Sequence, residues 1–177
     1  MSKPLYLFVG RSGSGKSTVA NILEEEHGLT QIWSYTTRRK RYDGEKYHLF
    51  ITNEEFDQLK DMVAYTEYNG NRYCATLEQI NNGDIYVMDP AGVETLLQKN
   101  INRQVVVVYF DTTVYTRINR MLDRGDSDMG IISRLLQDEK EDWEEFLHRL
   151  DVKFVKVDAN KPKQDVVQDV LVFIKEE

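Results

Sequence analysis

The sequence has very little cysteine, since Cys74 is the single one among 177 residues. One cysteine cannot form a disulfide within the chain, and disulfide-rich chains belong to oxidising compartments. We therefore predict a cytoplasmic protein that works under reducing conditions. Three histidines, His27, His48 and His148, are scattered along the chain, and together with Cys74 they show no spacing typical of a metal site.

Long hydrophobic runs and an excess of positive charge are also missing. No apolar run approaches the ~20 residues that a membrane-spanning helix needs, and only the short run Leu5–Val9 follows Lys3 and Pro4. This pattern predicts neither a membrane span nor a signal peptide. Lys and Arg number 23 against 30 Asp and Glu, for a formal net charge of −7. Nucleic acid and anionic membranes are therefore not expected as partners, and any phosphate site must gather its positive charge locally.

A glycine-rich segment stands out near the amino terminus. Gly10–Thr18 matches the pattern G-x-x-x-x-G-K-[ST] and lies between a predicted buried strand, Leu5–Val9, and a predicted helix, Lys16–Glu26. Glycines allow the tight turn that brings backbone amides to the positive end of the helix dipole, where phosphate oxygens bind. A glycine-rich turn without a ligand is the alternative, and the strand and helix on either side disfavour it. The segment predicts a P-loop that binds a nucleoside triphosphate.

The P-loop pattern assigns roles to individual residues. Lys16 is predicted to reach the β- and γ-phosphates of ATP, and the Ser17 hydroxyl is predicted to help hold Mg²⁺. The predicted ATP-contacting residues of the loop are Gly10, Arg11, Ser12, Gly13, Ser14, Gly15, Lys16, Ser17 and Thr18.

Strands and helices alternate along most of the chain, which predicts an α/β fold of the P-loop NTPase class with a parallel sheet covered by helices on both faces. Four further strands are predicted at Gln31–Tyr35, Ile85–Met88, Gln104–Phe110 and Val152–Val157. Four further helices are predicted at Gly92–Lys99, from Thr112 or Thr113 to Arg124, at Ile131–Leu150 and at Lys163–Lys175, with a loop over Gly125–Gly130. Within the long helix, Asp138–Glu145 is predicted to be mostly a solvated face.

Residues 50–82 depart from this alternation. Thr52 and Glu55 form a capping-box pattern at the start of a short helix. The strand-like run Met62–Tyr68 precedes a hairpin signal at Asn69-Gly70, with Arg72–Ala75 as the returning strand. A short helix over Thr76–Asn82 follows and is ended by Gly83. This much small structure predicts an inserted subdomain.

The densest positive charge in the chain is the run Arg38-Arg39-Lys40-Arg41, which the turn signal Asp43-Gly44 follows. A basic run is often only a solvated face. This one lies in an acidic chain, directly after a predicted P-loop helix and strand, and a guanidinium group offers a planar fork of donors that matches phosphate oxygens. The position favours a phosphate clamp.

Five motifs in one order resemble those of guanylate kinases. They are the P-loop, Ser34-Tyr-Thr-Thr-Arg38-x-x-Arg41, Gly44-Glu45, Gly70-Asn71-Arg-Tyr73 and Arg124-Gly125-x-Ser-Asp. The resemblance covers about residues 4–160. The P-loop alone is shared by many families, whereas the second and fourth motifs together are specific to guanylate-kinase-like proteins.

The resemblance implies an acceptor site for a nucleoside monophosphate. It implies that Arg38, Arg41 and Tyr73 hold the acceptor phosphate, with either Tyr47 or His48 as a further phosphate contact. It also implies that Ser34 contacts the guanine and that Asp89 lies near the acceptor base and ribose.

The resemblance further implies a helical lid that supplies arginines to the transferring phosphoryl group. Arg120, Arg124 and Arg134 fall in that part of the pattern, and Arg124 and Arg134 join Lys16 as the expected catalytic residues. Asn160, just after the last strand, is expected on the adenine side of the ATP site.

Several positions depart from the family pattern, and they concern recognition of the base. Ala64 stands where the family has a guanine-reading glutamate, Cys74-Ala75 replaces Gly-Ser/Thr, and Val87-Met-Asp89-Pro-Ala-Gly92 keeps one of two aspartates. Without the carboxylate at position 64, discrimination between bases is expected to weaken by ~1–3 kcal/mol. The alternative is that Glu67 or a backbone carbonyl takes the role through a β-bulge.

The expected function is ATP-dependent phosphorylation of GMP or dGMP, in purine nucleotide metabolism, with ATP and Mg²⁺ as cofactors. One alternative is a kinase of the same fold that acts on another nucleoside monophosphate or a sugar phosphate. A second is a non-catalytic guanylate-kinase-like binding module, although such modules have degraded P-loops. A single domain over residues 1–177 is expected, with a core of 1–34, 84–123 and 150–177, an acceptor-binding subdomain of 35–83 and a lid of 124–149. The sequence does not predict the oligomeric state.

Overall fold

Strands and helices follow one another as the sequence pattern predicts over most of the chain. In the computed structural model, the described residues are 3–41, 43–68, 70–99 and 101–176. In chain order the elements are β1 (Leu5–Val9), α1 (Lys16–His27), β2 (Gln31–Ile32), β3 (Ser34–Thr36), β4 (His48–Phe50), α2 (Asn53–Asp57), β5 (Met62–Tyr68), β6 (Asn71–Thr76), α3 (Leu77–Asn82), β7 (Ile85–Val87), α4 (Pro90–Leu97), β8 (Val105–Asp111), α5 (Val114–Asp123), α6 (Asp128–Asp138), α7 (Trp143–Arg149), β9 (Lys153–Asp158) and α8 (Lys163–Glu176).

A parallel sheet in the order β2-β7-β1-β8-β9 forms the centre of the fold. Side chains alternate across it, so that Leu5 and Leu7 of β1 lie in one buried cluster and Tyr6 and Phe8 lie in the other. The first cluster includes residues of α3, α4 and α7, and the second includes residues of α1 and α8. Both faces are therefore covered, and the predicted α/β fold is confirmed.

A second sheet, in the order β4-β3-β6-β5, lies in the segment between β2 and β7. In this sheet β3 and β4 are parallel, whereas β6 pairs antiparallel with both β3 and β5. The predicted capping box of Thr52 and Glu55 is present at the start of α2. Of the predicted hairpin signal, Asn69 lies outside the described residues, and Gly70 has a φ of 70°.

The prediction of one strand over Gln31–Tyr35 is wrong, because the chain changes sheets at Trp33. β2 pairs with β7 in the parallel sheet, and β3 pairs with β4 and β6 in the second sheet. Between them, the carbonyl of Trp33 accepts a hydrogen bond of 2.9 Å from the side chain of Gln79. A side chain therefore satisfies the backbone group where the strand ladder stops.

The prediction of one helix over Ile131–Leu150 is also wrong. Two helices, α6 and α7, replace it, and α6 already begins inside the predicted loop because Ser127 caps it. The break follows from Asp142, whose carboxylate accepts a hydrogen bond of 3.0 Å from the amide of Glu145 and caps α7. Asp at a cap competes with helix continuation, and the new helix buries Trp143 in the core.

Among the described residues, no helix combines the length and the apolar character that crossing a membrane requires.

Candidate active site

The P-loop joins β1 to α1 through a turn that only glycine can make. Gly10, Gly13 and Gly15 have φ values of 151°, 78° and 95°. A Cβ atom on Gly10 would lie 2.9 Å from the carbonyl oxygen of Phe110, and one on Gly13 would lie 2.8 Å from the carbonyl oxygen of Arg117. Both positions therefore exclude a side chain by space as well as by backbone angle.

The start of α1 presents free donors to a ligand. Its N-cap residue is Gly15, and within the described part of the chain no side chain makes a capping hydrogen bond there and no acidic residue lies in the first turn. The first amides of a helix need an acceptor and attract anions. Ser17 and Thr18 lie exposed in the same turn. This end of the helix can therefore bind a phosphate group.

Lys16 is folded over the loop that it follows. Its Nζ donates hydrogen bonds to the carbonyl oxygens of Gly10 at 2.6 Å and Arg11 at 3.1 Å. Burial lowers the pKa of Lys16 to about 8, while the carboxylate of Asp138 opposes the shift. The amine therefore still carries its proton at pH 7, poised to bind phosphate oxygens.

The basic run contributes Arg38 and Arg41 to the site. The Arg38 guanidinium donates to both oxygens of Glu45, at 2.8 and 3.2 Å, and the Arg41 amide donates to the same carboxylate at 2.7 Å. Burial, and then the positive charges of Arg38 and Arg134, lower the pKa of Arg41. Arg134 of α6 therefore lies near enough to the basic run for its charge to act on Arg41.

Arg124 and Arg134, the arginines predicted to belong to a lid, share one carboxylate. Arg124 donates to both oxygens of Asp126, at 2.8 and 2.5 Å, and the Nε atom of Arg134 lies 3.5 Å from the Oδ2 atom of Asp126. The hydrogen bond from Arg124 holds the pKa of Asp126 below its usual range. Arg124 also acts on Lys16, whose pKa its charge lowers. The P-loop, the basic run and the segment predicted to form the lid are thus close enough for their charges to act on one another.

Two neighbouring residues, Tyr47 and His48, have different surroundings. The Tyr47 hydroxyl donates to Glu25 of α1, and the Tyr47 ring packs edge-on against Trp33. His48 lies beside Tyr73, with ring centroids 6.1 Å apart. Burial and then the charge of Arg38 lower the pKa of His48 to about 4. Its buried Nδ1 atom has no hydrogen-bond partner in the described part of the chain.

Tyr73 belongs to the same group as Arg38, because its hydroxyl lies close enough to contribute to the raised pKa of Arg38. The structure therefore brings His48 and Tyr73 to the Arg38 side of the site, and it joins Tyr47 to α1.

Ser34 and Asp89 line the side of the site that the resemblance assigns to the acceptor base. The hydroxyl groups of Ser34 and Tyr86 are hydrogen-bonded at 3.0 Å in a buried position. Asp89 caps α4 by accepting from the amide of Gly92 at 2.7 Å. Burial raises the pKa of Asp89, and the Thr66 hydroxyl lies close enough to lower the pKa of Asp89 in part. The aspartate is thus held in one orientation by the backbone amide of Gly92, with Thr66 beside it.

Ala64 lies in the core rather than in the site. It is 2% exposed, has a φ of 53° and belongs to the cluster around Leu5 and Leu7. The β-bulge considered as an alternative does exist, between Val63 and Thr66. It brings Thr66 to Asp89, whereas Glu67 is exposed and accepts a hydrogen bond from the Tyr65 hydroxyl. The hydroxyl group of Thr66, rather than a glutamate carboxylate, therefore occupies this part of the site.

Asn160 lies beyond β9, exposed, at the edge of the P-loop. Its Oδ1 atom accepts from the amide of Thr113 at 2.9 Å. Arg120 donates to the carbonyl oxygens of Ser14 at 3.1 Å and Ala159 at 2.8 Å, which ties the P-loop to the loop that carries Asn160. The structure therefore brings Asn160 near the loop predicted to bind ATP.

The prediction of a solvated face over Asp138–Glu145 is wrong for Asp138. The Asp138 carboxylate accepts from the amide and the hydroxyl of Ser12, at 3.0 and 3.2 Å, and from Arg117 at 2.7 Å. In the sequence, Asp138 could not be distinguished from the other acids of this run. Its partner is Arg117, an arginine of α5 that is buried in the structure. The residues near the site that sequence reasoning missed are Thr66, Tyr86, Arg117, Asp126 and Asp138.

Comparisons with known proteins agree with this geometry. A family model described as an AAA domain matches residues 7–145. The guanylate kinase of Fusobacterium nucleatum is 32% identical over 154 residues, which cover 77% of this chain and 80% of that protein. The guanylate kinase of Bartonella henselae is 28% identical over 157 residues, which cover 80% of this chain and 70% of that protein. The crystal structure of guanylate kinase from Anaplasma phagocytophilum matches 99% of this chain and 86% of its own, with a TM-score of 0.60 at 21% identity, and it shares the fold.

Proposed function

Because the chain belongs to the guanylate kinase family, with an AAA domain over residues 7–145, we propose that it transfers the γ-phosphoryl group of ATP to a nucleoside monophosphate, with GMP or dGMP as the best acceptor. The observation that carries the proposal is the convergence of three cationic segments. The charge of Arg124 contributes to the lowered pKa of Lys16, and the charge of Arg134 contributes to the lowered pKa of Arg41. Like charges gather in this way where a polyanion is to be bound.

The residues divide between the two nucleotides. In the proposal, Gly10–Thr18 and Asn160 bind ATP, with Lys16, Arg124 and Arg134 acting on the transferring phosphoryl group. Ser34 and Asp89 bind the base side of the acceptor. The proposed phosphate-binding residues of the acceptor site are Arg38, Arg41 and Tyr73 together with Tyr47 or His48, and the unpartnered Nδ1 atom favours His48.

Chemistry at this site requires positioning and charge neutralisation rather than a general base, because the attacking oxygen belongs to a phosphate that is already ionised at pH 7. Lys16 would leave its bonds to Gly10 and Arg11 and bind the β- and γ-phosphate oxygens. Arg124 and Arg134 would stabilise the charge that develops on the phosphoryl group. Closure of the lid would exclude water, which otherwise hydrolyses ATP.

The exposed Ser17 hydroxyl in the first turn of α1 fits Mg²⁺, because Mg²⁺ in nucleotide sites takes most of its ligands from phosphate oxygens and water. When bound, Mg²⁺ neutralises charge on the β- and γ-phosphates.

Base selectivity in the proposal depends on hydroxyl groups as well as on Asp89. The Ser34–Tyr86 pair and the Thr66–Asp89 pair supply oxygen atoms that can accept from the N1–H and amino donors of guanine. A hydroxyl is a weaker acceptor than a carboxylate. We therefore propose a preference for guanine over adenine that is narrower than a glutamate at position 64 would produce.

The proposed organisation is a single unit with the three functional parts predicted from the sequence: a core of 1–34, 84–123 and 150–177, an acceptor-binding part of 35–83 and a lid of 124–149. We also propose that the protein works in the cytoplasm, which fits a buried free Cys74 whose pKa burial raises to about 12. A thiol of that kind is inert rather than a reactive or redox site.

The assay that tests the proposal measures ADP formation with ATP and each of GMP, dGMP, AMP, CMP and UMP, with ribose phosphates as further acceptors. We expect GMP or dGMP to give the highest kcat/KM. If no nucleoside monophosphate is phosphorylated while ATP still binds, the assignment as a nucleoside monophosphate kinase is wrong. A sugar-phosphate acceptor or a binding module would then take its place.

Arg38→Ala and Arg41→Ala are each expected to raise the acceptor KM and lower kcat, with ATP affinity nearly unchanged. Each deletes a charge-assisted contact of about 1.5–3 kcal/mol to the acceptor phosphate, which corresponds to about 10–100-fold in kcat/KM. Steady-state kinetics with one nucleotide varied at a time measure the effect, and Arg39→Ala, at an exposed position of the same run, is the matched control. A collapse of ATP affinity with an unchanged acceptor KM would assign the run to the donor site.

A further inference from the structure

Asp138 makes three hydrogen bonds across a long stretch of sequence. It is the last residue of α6, and its carboxylate accepts from the Ser12 amide at 3.0 Å, the Ser12 hydroxyl at 3.2 Å and the Arg117 guanidinium at 2.7 Å. Its side chain is only 11% exposed. The end of the lid helix is therefore attached to the P-loop by charge-assisted bonds, which are stronger than neutral ones.

Arg117 completes a clamp on the same P-loop residue. Its side chain is 2% exposed, and its Nε atom donates to the carbonyl oxygen of Ser12 at 2.9 Å. Ser12 is thus held through its amide by Asp138 and through its carbonyl by Arg117. Removing the acid would leave a buried guanidinium without its carboxylate, which a protein tolerates poorly.

The lid arginine lies on the same side of α6 as this attachment. Arg134 precedes Asp138 by four residues, and residues at that spacing lie one above the other on a helix. A helix held at its last residue is also held in rotation one turn earlier. Arg134 itself has a single ion pair at 3.5 Å, to Asp126, among the contacts described for it. Its placement therefore depends on how α6 is anchored.

We propose that Asp138 is a positioning residue that fastens the lid helix to the P-loop and thereby holds Arg134 toward the transferring phosphoryl group. The proposal rests on the proposed function for the role of Arg134. The competing interpretation is that the carboxylate occupies an anion position on the P-loop and must leave before ATP binds. The two differ in kinetics, because a positioning residue supports kcat, whereas an occupying anion weakens ATP binding.

The kinetic test compares Asp138→Ala and Asp138→Asn with the neighbouring exposed control Glu139→Gln, using ATP and GMP. We expect kcat to fall by about 10–100-fold in Asp138→Ala, with a smaller change in the ATP KM and more ATP hydrolysis per transfer. Asp138→Asn should lose less, because its amide oxygen still accepts from Ser12. The double variant with Arg134→Ala should lose little beyond Arg134→Ala alone, since the two residues act through one another. An unchanged kcat with a lower ATP KM, or fully additive losses, would overturn the proposal.

Hydrogen–deuterium exchange of the α6 amides tests the attachment without relying on activity. We expect faster exchange of α6 in Asp138→Ala than in wild type or Glu139→Gln, with global thermal unfolding measured alongside. Faster α6 exchange in a protein whose wild type transfers no phosphoryl group would contradict the proposed function and leave the attachment intact. Unchanged α6 exchange in an active protein would contradict the attachment alone.

Discussion

Lys16→Ala is expected to abolish phosphoryl transfer, lowering kcat by at least about 10²–10³-fold, which is the loss seen when one donor to a developing charge is removed. The reason is local, because the Lys16 amine lies within 2.6–3.1 Å of the P-loop carbonyl oxygens of Gly10 and Arg11 and is protonated at pH 7. No other lysine belongs to the loop. Single-turnover transfer from ATP to GMP measures the chemical step directly.

The fold should survive this change. Burial depresses the pKa of Lys16 from 10.5 to about 8. A depressed lysine pKa means that the folded protein disfavours the charged form, which lowers the free energy of unfolding. This destabilisation is fully present below about pH 8 and is relieved as the pH rises toward 10.5. A second variant, Lys16→Met, removes the same charge and tests this point. It should be no less stable than wild type at pH 7 in thermal unfolding. Lys60→Ala, at an exposed position, is the matched control. Near-normal transfer by Lys16→Ala would exclude a P-loop kinase.

Arg134→Ala is expected to lower kcat by about 10³-fold, because an arginine brought to a transferring phosphoryl group contributes about 10³–10⁵ to the rate. Of the two arginines in the proposed lid, Arg124 has two short bonds to Asp126, whereas Arg134 has one contact of 3.5 Å to it. Arg134 therefore has a weaker contact with Asp126 to break when it binds a phosphate group. The acceptor KM should change far less than kcat, and rapid-quench kinetics separate the two.

Two further variants sharpen this result. Arg134→Lys should recover only part of the rate, since lysine keeps the charge but not the planar fork. Arg149→Ala removes an exposed arginine of α7 whose partners are Glu94 and Glu141, and it should leave kcat near the wild-type value. A raised acceptor KM with a normal kcat in Arg134→Ala would make Arg134 a binding residue instead.

Much of the fold could be predicted from the sequence, because backbone and capping preferences act over a few neighbouring residues. The P-loop was evident because three glycines, a lysine and a serine lie at fixed spacing between a strand and a helix, and backbone angle preferences act over a few residues. The capping box of Thr52 and Glu55 was evident for the same reason. The two-sided parallel sheet followed from apolar strands such as β8, which is buried at every position up to Phe110.

Family resemblance supplied the expected roles of residues that no local rule assigns. Arg38, Arg41 and Tyr73 carry no signature of an acceptor site beyond charge and order along the chain. Their roles are still proposals, although the structure brings Tyr73 close enough to Arg38 to contribute to its raised pKa.

Tertiary structure alone decided the remainder, because it depended on packing between residues far apart in sequence. The change of sheets at Trp33 depends on a hydrogen bond from Gln79, and the inward turn of Ala64 depends on a bulge that one strand forms against another. Asp138 read as one more acid on a polar helix, yet its carboxylate meets Ser12, which lies 126 residues earlier. Sequence patterns report which side chains prefer water and which backbones turn, whereas the partner of a buried charge is determined only when the helices pack.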